Sequence, residues 1–372
     1  MTRQTVPLGR IFGISIGLDF SWFLIFVLMT WLLARSYFPA EFKNWSPALY
    51  WGTGAATTIM LFVSVLLHEL GHSVVALSYK IPVRRITLFI FGGMAEIGAE
   101  SPSPTAEFLI AIAGPIVSLI LAIIFTLLEQ PVVGIPPLFG LIKYLAYINF
   151  ALVLFNLIPG YPLDGGRVFR AIVWGVTHDM RRATLIAANV GRFFGFLFIL
   201  FGVWQMLGGN FGNGLWIAFI GWFLESAASS QVHQVMLQRV IAGHTVGQAM
   251  NPHVATLPAN LTLQQLVDEH VFGGGGRSFV VNRGDDAVGL VTLHRLKEVP
   301  RSQWGTTTAE QIMIPIAQIK TSNPKAELWT ALTQMDRDGV NQLPVMNNGH
   351  IVGILTREDL ITFLRTLQEL GG

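Results

Sequence analysis

The residues best able to do chemistry stand in Leu66-Leu-His-Glu-Leu-Gly-His-Ser73. On a helix, His68 and His72 are i and i+4, so both imidazoles project from one face. Two neutral imidazoles at that spacing can share one Zn²⁺ ion, and Glu69 beside them is placed to take a proton from the water the ion activates. Zinc lowers the pKa of such a water to about 7, which makes the chemistry accessible at neutral pH. Catalytic zinc takes three protein ligands and leaves one position open, so a third ligand is required. The best candidate is Asp164, in Phe155-Asn-Leu-Ile-Pro-Gly-Tyr-Pro-Leu-Asp-Gly-Gly166. The prolines and glycines around it interrupt any continuous helix, and the competing reading of the segment is an ordinary Pro/Gly turn.

The elements that must position these residues read as membrane spans. Of 372 residues only 12% are charged and 52% are hydrophobic, whereas about a quarter are charged in an ordinary soluble domain. Crossing a bilayer takes about 20 apolar residues, and such runs lie near 11–34, 54–79, 106–128, 138–159, 183–207 and 214–230. The first reads as a retained span rather than a removable signal, because no small-residue cleavage site follows a short apolar core. Of nine histidines, only His68 and His72 fall inside an apolar run. Ionisable residues there are costly and mark function; the competing reading makes them buried histidines bonded to neighbouring helices or part of a proton path. Non-helical backbone around Asp164 is tolerated at membrane depth where it lines a hydrated, protein-walled cavity. A half-helix over 167–176 could dip back into the bilayer.

Charge and cysteine content exclude several function classes. Net charge is +2, and only local pairs such as Arg84-Arg85 and Arg181-Arg182 occur, so no cationic tract suggests nucleic acid. With no cysteine there is no disulfide framework and no thiol nucleophile. Positively charged loops stay cytoplasmic. Arg3 and Arg10 precede the first run, Lys80, Arg84 and Arg85 follow the second, and Arg167, Arg170, Arg181 and Arg182 follow the fourth. Loops 129–138 and 208–213 carry no Lys or Arg, and Arg35 and Lys43 are the one mild exception. The pattern predicts both termini in the cytoplasm and an even number of crossings, with the histidine helix and Asp164 converging toward that side.

After Ser230 the chain changes character: charges return, apolar runs shorten to strand length, and turns such as Asn282-Arg-Gly-Asp285 and Asn347-Asn-Gly349 appear. Residues 1–230 are expected to form the membrane domain, 231–245 a linker helix, and 246–372 a soluble domain. That domain repeats itself over about 246–303 and 307–372. Ser278-Phe-Val-Val281 leads to Val288-Gly-Leu-Val-Thr-Leu-His-Arg-Leu296, and Gln342-Leu-Pro-Val345 leads to Val352-Gly-Ile-Leu-Thr-Arg-Glu-Asp-Leu360. Each copy reads as helix, strand, turn, strand, helix, and neither would bury its apolar face well alone.

His68-Glu-Leu-Gly-His72, Ala113-Gly-Pro115 and Asn156…Pro159…Pro162-Leu-Asp-Gly165, in that order, resemble the site-2 protease family, and the tail looks like the CBS pair of its CBS-containing branch. The resemblance implies an α-helical polytopic membrane protein of about six transmembrane helices with a C-terminal soluble α/β CBS-pair domain. It also implies one zinc held by His68, His72 and Asp164, Glu69 as general base, and Asn156 helping to stabilise the oxyanion. An amide N–H₂ aimed there is worth several kcal/mol. The implied reaction is hydrolysis of a peptide bond within the transmembrane segment of a single-span membrane protein, in the cell or inner membrane. Thr87–Ile97, with strand-like residues and Gly92-Gly93, is expected to form a strand whose edge pairs with unwound substrate; the competing reading is a plain structural hairpin. No PDZ-like insertion stands between the third and fourth spans, which leaves the tail as the candidate regulator.

CBS pairs commonly bind adenine nucleotides, and the family's ribose pattern is present as Gly353-Ile-Leu-Thr-Arg-Glu-Asp359. Thr356 and Asp359 would contact the ribose of ATP, ADP or AMP. The first copy, Gly289-Leu-Val-Thr-Leu-His-Arg295, carries Arg where that Asp belongs, and Arg295 could instead meet a phosphate. The other reading of the tail is a dimerisation or capping module, with homodimers formed through the CBS repeats. Two other function classes compete with proteolysis: a CBS-regulated transporter or channel, and a catalytically inactive relative that binds membrane proteins. The absence of an inverted repeat speaks against the first, and intact Glu69, His68, His72 and Asp164 against the second.

Overall fold

The computed structural model describes residues 5–90, 92–273, 278–284 and 286–369. Of the residues used above, Arg3, Phe91 and Asp285 lie outside these. The chain divides into two compact units, Met1–Val235 and Met236–Gly372.

The first unit opens with β1 (Thr5–Ile11) and β2 (Ile14–Asp19), followed by α1 (Phe20–Leu32), a π-turn, and short α2 (Phe38–Glu41). The apolar run read over 11–34 is therefore strand for its first part. Asp19 sets the boundary: its Oδ1 accepts from Ser21 N at 2.9 Å, an N-cap that lets the helix start at Phe20. Then come α3 (Pro47–Ser78), β3 (Val83–Phe89), β4 (Gly92–Ile97), α4 (Pro104–Glu129), α5 (Pro136–Asn156), α6 (Asp164–Thr177), α7 (Met180–Leu207) and α8 (Phe211–Ile241). Helices α3 and α4 each begin with proline at the first position behind a serine cap, Ser46 and Ser103, where the missing N–H costs nothing.

Among the described residues, five helices are long and apolar enough to cross a membrane: Phe20–Glu41, Pro47–Ser78, Pro104–Val132, Pro136–Asn156 and Met180–Leu207. By length and composition this is one fewer than the about six expected. The remaining run, 214–230, lies in α8, where Asn213, Glu225 and several glycines dilute the apolar stretch. Residues 231–241 of the expected linker helix form the last part of α8.

The four strands form one sheet in the order β1-β2-β3-β4. Strand β2 runs parallel to β3, and β3 antiparallel to β4 with Thr87 opposite Met94. Ile14, Ile86, Leu70, Ala76 and Ile110 form one buried cluster joining this sheet to α3 and α4. The segment expected as one strand over Thr87–Ile97 is instead the end of β3 and all of β4, which pair antiparallel beside the histidine helix, with β4 an outer strand of its sheet.

In the second unit, β5 (Thr256–Pro258) runs parallel to β6 (Ser278–Arg283), β6 pairs antiparallel with β7 (Asp286–Thr292) and β7 with β8 (Ile314–Pro315), while β9 (Gln342–Asn347) pairs antiparallel with β10 (His350–Thr356). The copies exchange their leading segments. Asn251 bridges Ile354 of the second copy, while Ile314 pairs with Leu290 of the first. Val280, Leu290 and Ile354 share one cluster, so each copy completes the other's core.

Candidate metal centre

Helix α3 carries His68 and His72 one turn apart on its buried face, at 6% and 4% exposure. Their partners arrive from α4 and α6. Helix α5 stops at Asn156, the chain crosses residues 157–163 without helix, and α6 starts at Asp164 itself. The loop is tied down where Tyr161 N donates to Ala187 O of α7 at 3.2 Å. Arg167 N donates to Leu163 O at 3.2 Å, which winds the first turn of α6 behind the carboxylate.

The result is a tight triangle. His68 Nε2 lies 3.0 Å from Asp164 Oδ2, His72 Nε2 lies 3.3 Å from the same oxygen, and the two Nε2 atoms are 3.2 Å apart. Ligands at about 2.0–2.1 Å from zinc in tetrahedral array stand roughly 3.3 Å from one another. The triangle therefore has the edges of one face of such a site. Among the described residues, His68, His72 and Asp164 form the His/Asp/Glu cluster able to hold a metal ion.

The outer nitrogens are also set. His72 Nδ1 lies 2.7 Å from the carbonyl oxygen of Ile110, which can only accept, so Nδ1 carries the hydrogen and a neutral ring leaves Nε2 bare. His68 Nδ1 meets Ser118 Oγ at 2.9 Å. Partners of this kind orient metal-ligating histidines and fix their tautomer. A third α4 residue makes room: a Cβ on Gly114 would lie 2.6 Å from His68 Nε2 and 2.5 Å from His72 Cε1. The motif Ala113-Gly-Pro115 thus keeps a side chain out of the ligand triangle.

Glu69 points toward the sheet. A Cβ on Gly93 of β4 would stand 3.0 Å from Glu69 Cδ and 3.1 Å from its Oε1, so the carboxylate lies against a strand with no side chain at that point. Asn156 is the last residue of α5, half-buried, directly before the loop that leads to Asp164.

Sequence reasoning missed a second polar group. Glu107 in the first turn of α4 is 1% exposed. Its Oε1 accepts from Arg167 Nε at 3.0 Å and from Arg170 Nη2 at 2.5 Å, and its Oε2 accepts from Ser101 Oγ. Burial alone would make Arg167 easier to deprotonate, but Glu107 more than offsets it and holds the guanidinium above the usual arginine range. Both arginines were read only as topology signals, although an acidic residue inside an apolar run was a visible cue. Ser118 and the Ile110 carbonyl carry no such signal in the sequence.

In the second unit, Thr356 and Asp359 hydrogen-bond to each other. Thr356 Oγ1 donates to Asp359 Oδ2 at 2.6 Å, and Asp359 N donates to Thr356 Oγ1 at 3.1 Å, a reciprocal cap on helix Arg357–Glu369. A cavity of about 310 Å³ between the copies is lined by Thr256, Asn282, Asp286 and His350 among others, and by neither Thr356 nor Asp359.

Comparison with known proteins adds an independent line. Residues 56–134 and 131–200 match the family model described as peptidase family M50, and residues 309–366 match the CBS domain. The chain is 36% identical, over 98% of its length and 96% of the relative's, to a Synechocystis protein named zinc metalloprotease sll0528. It is 35% identical, over 96% of its length and 92% of the relative's, to a Mycobacterium tuberculosis protein named zinc metalloprotease Rip3. A solved site-2 protease from Methanocaldococcus jannaschii shares 32% identity, covering 62% of this chain and 95% of that one, with a TM-score of 0.44.

Proposed function

The chain belongs to peptidase family M50, the site-2 protease family of zinc metalloproteases, and on that premise we propose that it hydrolyses a peptide bond within the transmembrane segment of a single-span membrane protein. The observation that carries this reading is the Nε2–Nε2–Oδ2 triangle that Asp164 of α6 closes with His68 and His72 of α3, a helix long and apolar enough to span a bilayer.

His68, His72 and Asp164 would hold one zinc ion. Bound there, zinc supplies a Lewis acid that lowers the pKa of water to about 7 and polarises the scissile carbonyl. The remaining work falls to the chain's own residues. Ile110 and Ser118 hold the imidazoles, and Gly114 keeps the triangle open. Glu69 takes the proton from the attacking water and delivers it to the departing amide nitrogen. Asn156 offers its amide N–H₂ to the developing oxyanion. A substrate helix must unwind to expose a peptide bond, and the outer edge of β4 offers backbone partners to the extended segment. Glu69 packs against that same strand at Gly93, which puts the base beside the bound backbone.

The Lys and Arg distribution favours cytoplasmic termini and a cytoplasmic tail. It needs an even number of crossings, with the first half of α8 as the sixth. Leu215, Trp216 and Trp222 are more than half exposed there, as a lipid-facing helix requires. The CBS tail would be the regulator, taking an adenine nucleotide with Thr356 and Asp359 at the ribose, or dimerising. Exchange of their mutual hydrogen bonds for ribose contacts couples binding to the start of helix Arg357–Glu369. Cleavage rates that stay flat across physiological ATP and AMP concentrations would remove that role.

The test of the reaction is the position of the cut. A single-span reporter incubated with the purified protease should give, by mass spectrometry, termini inside its transmembrane segment. Cuts confined to its soluble ends would overturn the proposal.

A further inference from the structure

Helix α4 presents one buried stripe, Glu107, Ile110, Gly114 and Ser118, at spacings of three, four and four. Three of these serve the histidines: Ser118 and Ile110 hold the rings, and Gly114 clears the space between them. Glu107, at the end of the same stripe, meets α6 instead, and α6 begins with Asp164.

We propose that Glu107 is a positioning residue of the metal centre: it engages Arg167 and Arg170, anchors the first turns of α6 to α4, and keeps the Arg167 guanidinium off Asp164. The inference rests on the reading of His68, His72 and Asp164 as zinc ligands.

Spacing and charge both lead there. Asp164, Arg167 and Arg170 follow one another at i+3 and lie on one face of α6. Arg167 is thus a neighbour of the carboxylate that must serve the metal. A guanidinium is the natural partner of a carboxylate, and an Arg167–Asp164 pair would compete with the metal for Oδ2. Glu107 prevents this by giving Arg167 Nε a partner at 3.0 Å on the α4 side. It also takes Arg170, whose guanidinium sits 5.9 Å from the centroid of the Tyr161 ring in the loop before Asp164. With Glu107 and Asp164 against Arg167 and Arg170, the group is charge-balanced. Replace Glu107 by a neutral residue and two partly buried guanidiniums are left with Asp164 as the carboxylate nearest in sequence. That situation is costly, and it is relieved by drawing Asp164 away from the histidines.

The test is zinc retention in the purified full-length protein. Wild type, Glu107→Gln, Glu107→Gln/Arg167→Gln and Glu225→Gln are loaded with zinc, and release into excess chelator is timed. Zinc stoichiometry and the melting temperature of the metal-free protein are measured alongside. Glu225→Gln is the control: it breaks the Arg192–Glu225 pair between α7 and α8 (3.3 Å) without touching α4 or α6. Glu107→Gln should release zinc about tenfold faster or more, the usual effect of losing a group that supports a metal ligand. The double variant, with the competing guanidinium gone, should return to within about threefold of wild type.

Release from Glu107→Gln at the wild-type rate would overturn the proposal. So would a double variant as leaky as the single, or equal leakiness in Glu225→Gln. If Glu107→Gln does not fold, Glu107→Asp takes its place: the charge is kept but the shorter carboxylate cannot reach both guanidiniums. An intermediate release rate is then expected, and a wild-type rate counts against the role. A wild-type protein that binds no zinc overturns the metal reading itself, a result distinct from any of these.

Discussion

Gly93 of β4 and Glu69 of α3 meet so closely that a Cβ on the glycine would stand 3.0 Å from the Glu69 Cδ. The strand proposed to receive substrate and the proposed base are therefore in contact. Gly93→Ala should push the carboxylate aside while leaving the histidines in place. Because misplacing a catalytic group by about 1 Å can cost on the order of a hundredfold, kcat for reporter cleavage should fall by that order. Zinc content, measured on the same preparation, should stay at the wild-type level.

Gly114→Ala should do the opposite. Its Cβ would land among the ring atoms of His68 and His72, 2.6 Å from His68 Nε2. The rings must turn away, so zinc itself should be lost, and activity with it. Metal analysis of the two alanine variants side by side separates the base from the ligands.

Ser118→Ala removes the partner 2.9 Å from His68 Nδ1 and leaves a small apolar group in its place. The ring loses its orienting bond and the helix packing is kept. A zinc affinity lower by about tenfold to a hundredfold is expected, read by chelator competition. Thermal stability of the metal-free protein should change little.

In the tail, Leu355 of β10 is fully buried with Leu328, Met335, Leu343 and Val345. Leu355→Ala should cost the soluble domain about 2–5 kcal/mol. Limited proteolysis should then cut first within 236–369, with zinc still held by the membrane unit.

Much of this centre was legible in the residues. His68, Glu69, His72 and Asp164 announce themselves because each is an expensive side chain inside a membrane-length apolar run, or at the break between two. The repeat in the tail was visible because both copies carry the same strand pattern. Other features depend on three-dimensional facts with no local signal. The carbonyl of Ile110 is backbone, available at any residue, and only the crossing of α3 and α4 brings it to His72. Ser118 looks like any small residue in a helix. The strand Ile14–Asp19 reads as the start of a span because a buried strand and a membrane helix are both apolar, and only the Asp19 cap separates them. Glu225 and the glycines of α8 lower its apolar character, yet the run remained long enough to suggest a sixth span.

The most direct measurement pairs zinc content with cleavage in wild type and Glu69→Gln. The substitution removes the base while leaving His68, His72 and Asp164 untouched. One zinc per chain in both proteins, with reporter cleavage lost only in Glu69→Gln, is the expected result. Equal cleavage by both proteins, or no zinc in active wild type, would contradict the assignment of this centre.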